Sequence, residues 1–354
     1  MHNRKIIILG AGLTGLYLAN LLKREKIDFQ ILEGRGRVGG RILTDYQKDS
    51  ASLEMGATWF GENHLKLKQV IKALNINYFE QALGNTAIYE PISSSPHQLV
   101  HLPPNNDPSF RIQGGTFELI KALTKNLDES DIKLNEPVNR IEYRKDGLHV
   151  FTENTSYHAG IVVSTLPPNL LINSIEFDPQ LPEELVGMAK NTHTWMGESI
   201  KIGLRFDEPF WKKARLSGTI FSNVGPITEM YEHNDVEDQF FALKGFLSSA
   251  YFSMTKEQRL QMVLDQLQKY YGDRVLHYRS YEELIWQNER FTYMPNEDSI
   301  YPHQNNGHPL YQSTFFNNRL YVAGTETASK YPGYMEGAIQ SAENTFEKLM
   351  EKME

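Results

Sequence analysis

The chain opens with a strand, a glycine turn and a helix, and few folds accept that order. Residues 5–10 form an apolar run suited to a buried parallel strand, and Gly10-Ala11-Gly12-Leu13-Thr14-Gly15 follows at once. Leu16, Leu18, Ala19, Leu21 and Leu22 then share one helical face as far as Lys23 and Arg24. Residues 28–32 read as a second strand, which ends on Glu33. In a G-x-G-x-x-G turn, Gly10 permits the tight bend, Gly12 lets a pyrophosphate approach the backbone, and Gly15 lets helix and strand pack closely. Leu13 and Thr14 open the helix, whose free N–H groups suit phosphate oxygens. Glu33 stands where a carboxylate accepts bonds from ribose hydroxyls. Glycines alone are a weak signal. With strand, helix and terminal acid in place they predict an α/β dinucleotide-binding unit.

The next segment narrows the ligand. Glu33-Gly34-Arg35-Gly36-Arg37-Val38-Gly39-Gly40-Arg41 sets three arginines and four glycines just past the second strand. Glycines let backbone lie against a ligand, and guanidinium groups meet phosphate oxygens. That favours FAD over a nicotinamide dinucleotide. The chain has no cysteine, which excludes disulfides, thiolate metal sites, cysteine nucleophiles and a cysteinyl bond to a cofactor. A net charge of −8 argues against nucleic acid or an anionic membrane as partner. Met1-His2-Asn3-Arg4-Lys5 runs straight into Ile6-Ile7-Ile8-Leu9, too short for a signal-peptide core. No window approaches the ~18 apolar residues that span a bilayer. A cytoplasmic protein without a membrane partner is the expectation.

The glycine and arginine loop resembles the second FAD fingerprint of the flavin amine oxidase family, which includes the monoamine oxidases. Glu54-Met55-Gly56-Ala57-Thr58-Trp59-Phe60 is similar to the family's acid-x-Gly-Ala segment beside the flavin. Leu320-Tyr321-Val322-Ala323-Gly324-Thr325-Glu326-Thr327 and Gly333-Tyr334-Met335-Glu336-Gly337-Ala338 resemble its closing motif almost residue for residue. The resemblance implies noncovalent FAD held by Glu33, Arg35, Gly40 and Arg41, by Gly56 to Trp59, by Val138, and by Gly324, Glu326, Tyr334 and Met335. A helix beginning there turns its positive end toward the flavin. For Trp59 and Phe60, a place in the core is an equal alternative.

Two residues carry the implied chemistry. Lys201 precedes Phe206-Asp207-Glu208-Pro209-Phe210-Trp211, where the family keeps a lysine that holds a water near the flavin. Pattern alone puts Lys201 on the polar side of an alternating strand, residues 198–207, with Ile200, Ile202, Leu204 and Phe206 opposite. Tyr334 matches one wall of the family's aromatic cage. The second wall falls on Asn296, so the cage is incomplete, with Phe291, Tyr293 and Tyr301 as candidate replacements. The polar run 301–309 either lines the substrate site or is a plain loop, and His303 with His308 is no metal pair, so no metal is expected. The implied reaction is amine oxidation: a small amine yields a hydride equivalent to flavin, and O2 reoxidises it, giving imine, aldehyde and H2O2. A renalase-like oxidase of dihydronicotinamides and a silent flavin-binding protein are the alternatives. Glu198, Glu229 and Glu232 read as solvated acids rather than anchors for a second ammonium group.

The expected architecture is a Rossmann-like FAD domain from residues 1–79, 110–190 and 287–354. Residues 80–109 and 191–286 form a discontinuous α+β substrate domain on an antiparallel sheet. Helices are expected over 62–74, with Leu65, Val70, Ile71 and Leu74 as anchors, over 116–127 and over 255–271, where Thr255 and Gln258 make a capping box and Gly272 ends the helix. Residues 80–113, with five prolines, read as loop.

Overall fold

A computed structural model describes residues 6–213, 216–296 and 299–353. Lys5, placed above in the first strand, lies outside the described residues. The Ile6–Leu9 strand is wholly buried and central in a six-stranded sheet. It pairs in parallel with Phe29–Leu32 on one side and Ile161–Ser164 on the other. Ile132–Lys133 extends the sheet beyond Phe29–Leu32, and Leu320–Val322 extends it beyond Ile161–Ser164, both in parallel. Thr314–Phe315 closes that edge antiparallel. Strands buried on both faces explain the unbroken apolar runs of the sequence.

The Leu13–Arg24 and Met335–Met353 helices pack together on one side of this sheet, where Leu16, Leu18 and Leu22 meet Ala338, Ile339 and Ala342. The helix can start at Leu13, straight after the turn, because Gly15 allows it: a Cβ on Gly15 would stand 2.1 Å from the carbonyl oxygen of Gly10. The other side is covered by a core that includes Ile141, Leu148 and Val150 from a four-stranded sheet.

A seven-stranded sheet forms the second layer, in the order Tyr278–Ile285, Ile200–Phe206, Phe241–Leu247, Ile227–Glu232, Ile220–Ser222, Thr86–Glu90, Gln98–His101. Its pairs are antiparallel except that between Ile220–Ser222 and Thr86–Glu90. One face packs on the Lys256–Tyr271 helix through Val263, Leu264 and Leu267. That helix carries the expected capping box between Thr255 and Gln258, and Gly272 ends it at φ +72°.

Three expectations need correction. Residues 80–113 are not loop: Thr86–Glu90 and Gln98–His101 form a hairpin on the large sheet, and Ser109–Ile112 pairs with Phe60–Gly61 and Tyr78–Glu80. The prolines stand between these strands or just beyond their ends, as loss of the N–H requires. The helix expected over 62–74 runs only from Leu65 to Ala73, and Leu65 is 61% exposed while Leu67, Val70 and Ile71 carry the contact. The polar side of the Ile200–Phe206 strand is not solvated, because all seven of its residues are buried. Alternation there marks two kinds of buried surface, not core and solvent.

Gly15→Ala is expected to cost about 1–3 kcal/mol or more through overpacking. The checks are a lowered Tm and weaker retention of FAD.

Candidate active site

A cavity of about 560 Å³ runs between the parallel sheet and the polar side of the Ile200–Phe206 strand. Its first end is built by the chain's opening segment. Gly10, Gly12, Leu13 and Thr14 line it at the turn, and Glu33, Arg35, Gly40 and Arg41 continue the wall. Gly12 and Gly40 nearly touch: a Cβ on Gly40 would lie 3.2 Å from the Gly12 Cα. Glu33 is held by two backbone N–H donors, Ala11 at 2.8 Å and Arg35 at 2.9 Å, one on each carboxylate oxygen. Each oxygen keeps a lone pair for a hydroxyl group. Val138 lines the same end.

Gly56, Ala57, Thr58 and Trp59 line the middle of the cavity, and Lys201, Tyr334 and Met335 the far end. Gly15, Gly324 and Glu326 do not line it. Gly15 supports the turn from below. Gly324, at φ +117°, donates its N–H to Ser341 at 3.0 Å. Glu326 is fully buried behind Arg41, whose guanidinium donates to both carboxylate oxygens at 2.5 and 2.9 Å. This bidentate pair joins the opening loop to the closing turn. Arg35 is also engaged within the chain, donating to Glu289 at 2.9 Å and to Thr292 at 2.8 Å. Trp59 faces the cavity and donates to Gln81 at 2.9 Å, whereas Phe60 belongs to the core.

Lys201 is 5% exposed and donates to the carbonyl of Gly56. Register explains its surroundings: Lys201 and Glu229 both pair with Phe246, and Lys244 pairs with both Gly203 and Tyr231. The sheet therefore turns Lys201, Phe246 and Glu229 in one row and Lys244 in the next toward the cavity side. Lys244 is fully buried, donates to Thr58 Oγ1 at 2.6 Å and stands 3.9 Å over the Trp59 ring. Burial holds Lys244 well below the usual lysine range, and the nearby Lys201 pushes it the same way. Burial also lowers Lys201, to about 8, against the opposing pull of Glu54. Glu54 is buried beside them, accepting from the Thr116 N–H at 2.6 Å and the Thr44 hydroxyl at 3.0 Å. Burial raises its carboxyl above the usual range, and the Thr116 N–H and Lys244 oppose that rise.

Tyr334 forms one wall of the far end. None of the three suggested replacements forms the opposite wall. Phe291 lies against Gly34 at the Glu33 end, Tyr293 packs on Gly197 and donates to Glu198 at 3.3 Å, and Tyr301 is 80% exposed. Asn296 accepts from Asn169 at 2.6 Å. His64, Trp195 and His303 all stand beside Tyr334, and of these Trp195, with ring centroids 5.9 Å apart, lines the cavity. A Cβ on Gly333 would lie 2.7 Å from Trp195, so that glycine is what lets the indole approach. His303 stacks on Trp195 at 4.0 Å, and the 301–309 run does not line the cavity. Glu229 does line it and is no solvated acid, while Glu232 holds the Trp211 indole at 2.6 Å.

Residues 13–91 and 97–345 match the family model for flavin-containing amine oxidoreductases. The chain belongs to that family. It is an FAD-dependent amine oxidoreductase, and the cavity suits its cofactor: a glycine cradle, a carboxylate with spare lone pairs and enough volume lie along one path. Without cysteine the chain holds FAD free of any thioether bond. The probable flavin-containing monoamine oxidase A of Dictyostelium discoideum is 24% identical over 458 aligned positions, covering 98% of each chain. Human flavin-containing amine oxidase B is 29% identical across 70% of this chain and 48% of its own. Among solved structures, putrescine oxidase with putrescine bound superposes with a TM-score of 0.84 at 20% identity, covering 98% of this chain and 99% of that one. Cyclohexylamine oxidase from Brevibacterium oxydans gives 0.85 at 17%, covering 99% of both. At these identities the structural likeness is one of fold. Among the described residues no helix is long and apolar enough to cross a membrane.

Arg41→Met leaves Glu326 buried without its partner and is expected to cost roughly 3–5 kcal/mol. Urea unfolding of the variant measures that loss directly.

Proposed function

We propose that the protein oxidises a small amine at the Lys201–Tyr334 end of the cavity, with oxygen as acceptor and an aldehyde, ammonia and hydrogen peroxide as products. The observation that carries this is the buried Lys201, turned into the same cavity as the glycine cradle. FAD bound along this cavity would supply the acceptor for a hydride equivalent from the amine's α-carbon and the route for two electrons to oxygen. The resulting imine hydrolyses to aldehyde and ammonia. In a Rossmann-like arrangement the Gly10–Gly15 turn holds the pyrophosphate and Glu33 the adenosine ribose. Residues 1–79, 110–190 and 287–354 then make the FAD domain, and 80–109 with 191–286 the substrate side. Tyr334 and Trp195 present aromatic faces to an incoming amine and exclude water around it. Lys201, as an ammonium below pH 8, stabilises negative charge building on oxygen.

Glu229 supports a narrower substrate. It shares the sheet row of Lys201, and the Tyr231 hydroxyl donates to it at 2.8 Å. A carboxylate in an aromatic cavity favours an amine that carries a second positive group, as a diamine does.

Anaerobic mixing with separate donors tests the reading. Amines should bleach the yellow flavin absorbance, and air should restore it with peroxide. Bleaching by reduced nicotinamides alone would instead select the renalase-like reaction, and bleaching by no donor a silent flavin-binding protein. A charged hydrogen bond is worth ~1.5–3 kcal/mol, so Glu229→Gln should raise KM for a diamine about 10–100-fold while leaving monoamines nearly unchanged. Protein reduced beforehand and mixed with oxygen should reoxidise more slowly as pH rises through about 8. Lys201→Met should remove that inflection and slow the reaction below it.

A further inference from the structure

A second group of side chains with ligand chemistry lies outside the cavity, on the four-stranded sheet. His149 and His158 are register partners on the antiparallel Gly147–Thr152 and Ser156–Ala159 strands. Directly opposed residues leave the same face of a sheet with their Cβ atoms ~4.5–5.5 Å apart. Here the two imidazole centroids are 5.1 Å apart with planes at 72°. Asp146, in the turn before the His149 strand, brings a carboxylate to both rings. His149 Nε2 is 3.2 Å from each of its oxygens, and His158 Nε2 is 3.5 Å from one of them. One ligand atom from each residue lies within 4.8 Å of the other two. Gly147 makes the space, since a Cβ there would stand 2.8 Å from His158 Nε2.

His149 hydrogen-bonds Asp146 at distances long for a charge-assisted pair, and the same separations fit the edges of a metal polyhedron. A charge-assisted N–H···O contact draws in to about 2.7–2.9 Å. Neighbouring ligand atoms on a tetrahedral zinc, with bonds of ~2.0–2.1 Å, stand about 3.3 Å apart. Two imidazole nitrogens sharing one carboxylate, at 3.2 and 3.5 Å, match such edges. Two nitrogens and one oxygen suit zinc, copper or nickel and not the oxygen-seeking magnesium or calcium. The three side chains are 35–64% exposed, which leaves a fourth position to water.

We propose that Asp146, His149 and His158 form a surface site for a divalent transition metal, with zinc the ion bound. The metal ties the Asp146 turn across two strands. At the opposite end of the Gly147–Thr152 strand, Thr152 pairs with Val138 of the neighbouring Val138–Arg144 strand, and Val138 lines the cavity, so the metal stiffens the sheet from the end remote from the amine chemistry.

The test uses untagged, FAD-loaded protein stripped with a chelator and titrated with zinc by calorimetry, with cobalt as an absorbance probe. One equivalent of zinc should bind and raise Tm. Losing even an outer-sphere partner costs ~10–100-fold in metal affinity, so His149→Ala, His158→Ala and Asp146→Asn should each weaken binding at least about tenfold. His101→Ala, on an exposed strand elsewhere, should not. The flavin spectrum reports that each variant is folded. Absence of zinc uptake by the parent protein, or uptake unchanged in the His149→Ala/His158→Ala double variant, overturns the proposal and leaves the three residues as a polar end to the strands.

Discussion

The buried carboxylate of Glu54 is the group on which the arrangement of the cavity floor depends. Two lysines from the large sheet, Lys201 and Lys244, enter a region with almost no access to water. Their charge there would cost several kcal/mol per ion without compensation. Glu54 supplies it. It sits at the start of the Phe117–Lys125 helix, where backbone N–H groups favour an anion, and Thr116 N–H and Thr44 both donate to it. One carboxylate cannot offset two ammonium groups, and burial drives both lysines toward their neutral forms. Lys201 keeps a proton that it loses far more readily than an exposed lysine would. The reactive character of Lys201 is thus a property of three strands and one helix end together.

The cavity is equally distributed along the chain. Its glycine end comes from the first residues, its lysine from the middle and its tyrosine from the last helix. The Arg41–Glu326 pair joins the first and last of these, beside the packing of the Leu13–Arg24 helix on the last helix. Its bidentate geometry fixes the angle of the opening loop as well as its position, so the Gly40 backbone meets Gly12 at the right height.

Local chemistry made much of this legible in the sequence. The glycine spacing, Glu33 and the terminal helix are set by contacts between near neighbours in the chain, and the sequence motifs found them. Lys201 was reachable only through the Phe-x-x-Pro-Phe-Trp motif beside it, because alternation on a strand buried on both faces looks the same as alternation on a solvated one. Glu229, Lys244 and Trp195 left no local signal. Glu229 lines the cavity and Lys244 reaches Thr58 and Trp59 beside it because of register across adjacent strands, and Trp195 lines it because Gly333 lets it approach. The strands within residues 80–113 were hidden for a related reason: their pairing partners are distant, and the prolines that separate them dominate the local pattern.

The position of the closing segment has a consequence for biosynthesis. Until Leu320–Val322 leaves the ribosome, the Ile161–Ser164 strand has an unpaired edge and Arg41 has no buried acid to grasp. The glycine end can fold early, but Tyr334, Met335 and the helix end behind them are made far later. The cofactor can be locked in only once residues 320–338 have been made, and a chain truncated before them would carry an open sheet edge, a mark that quality control can read.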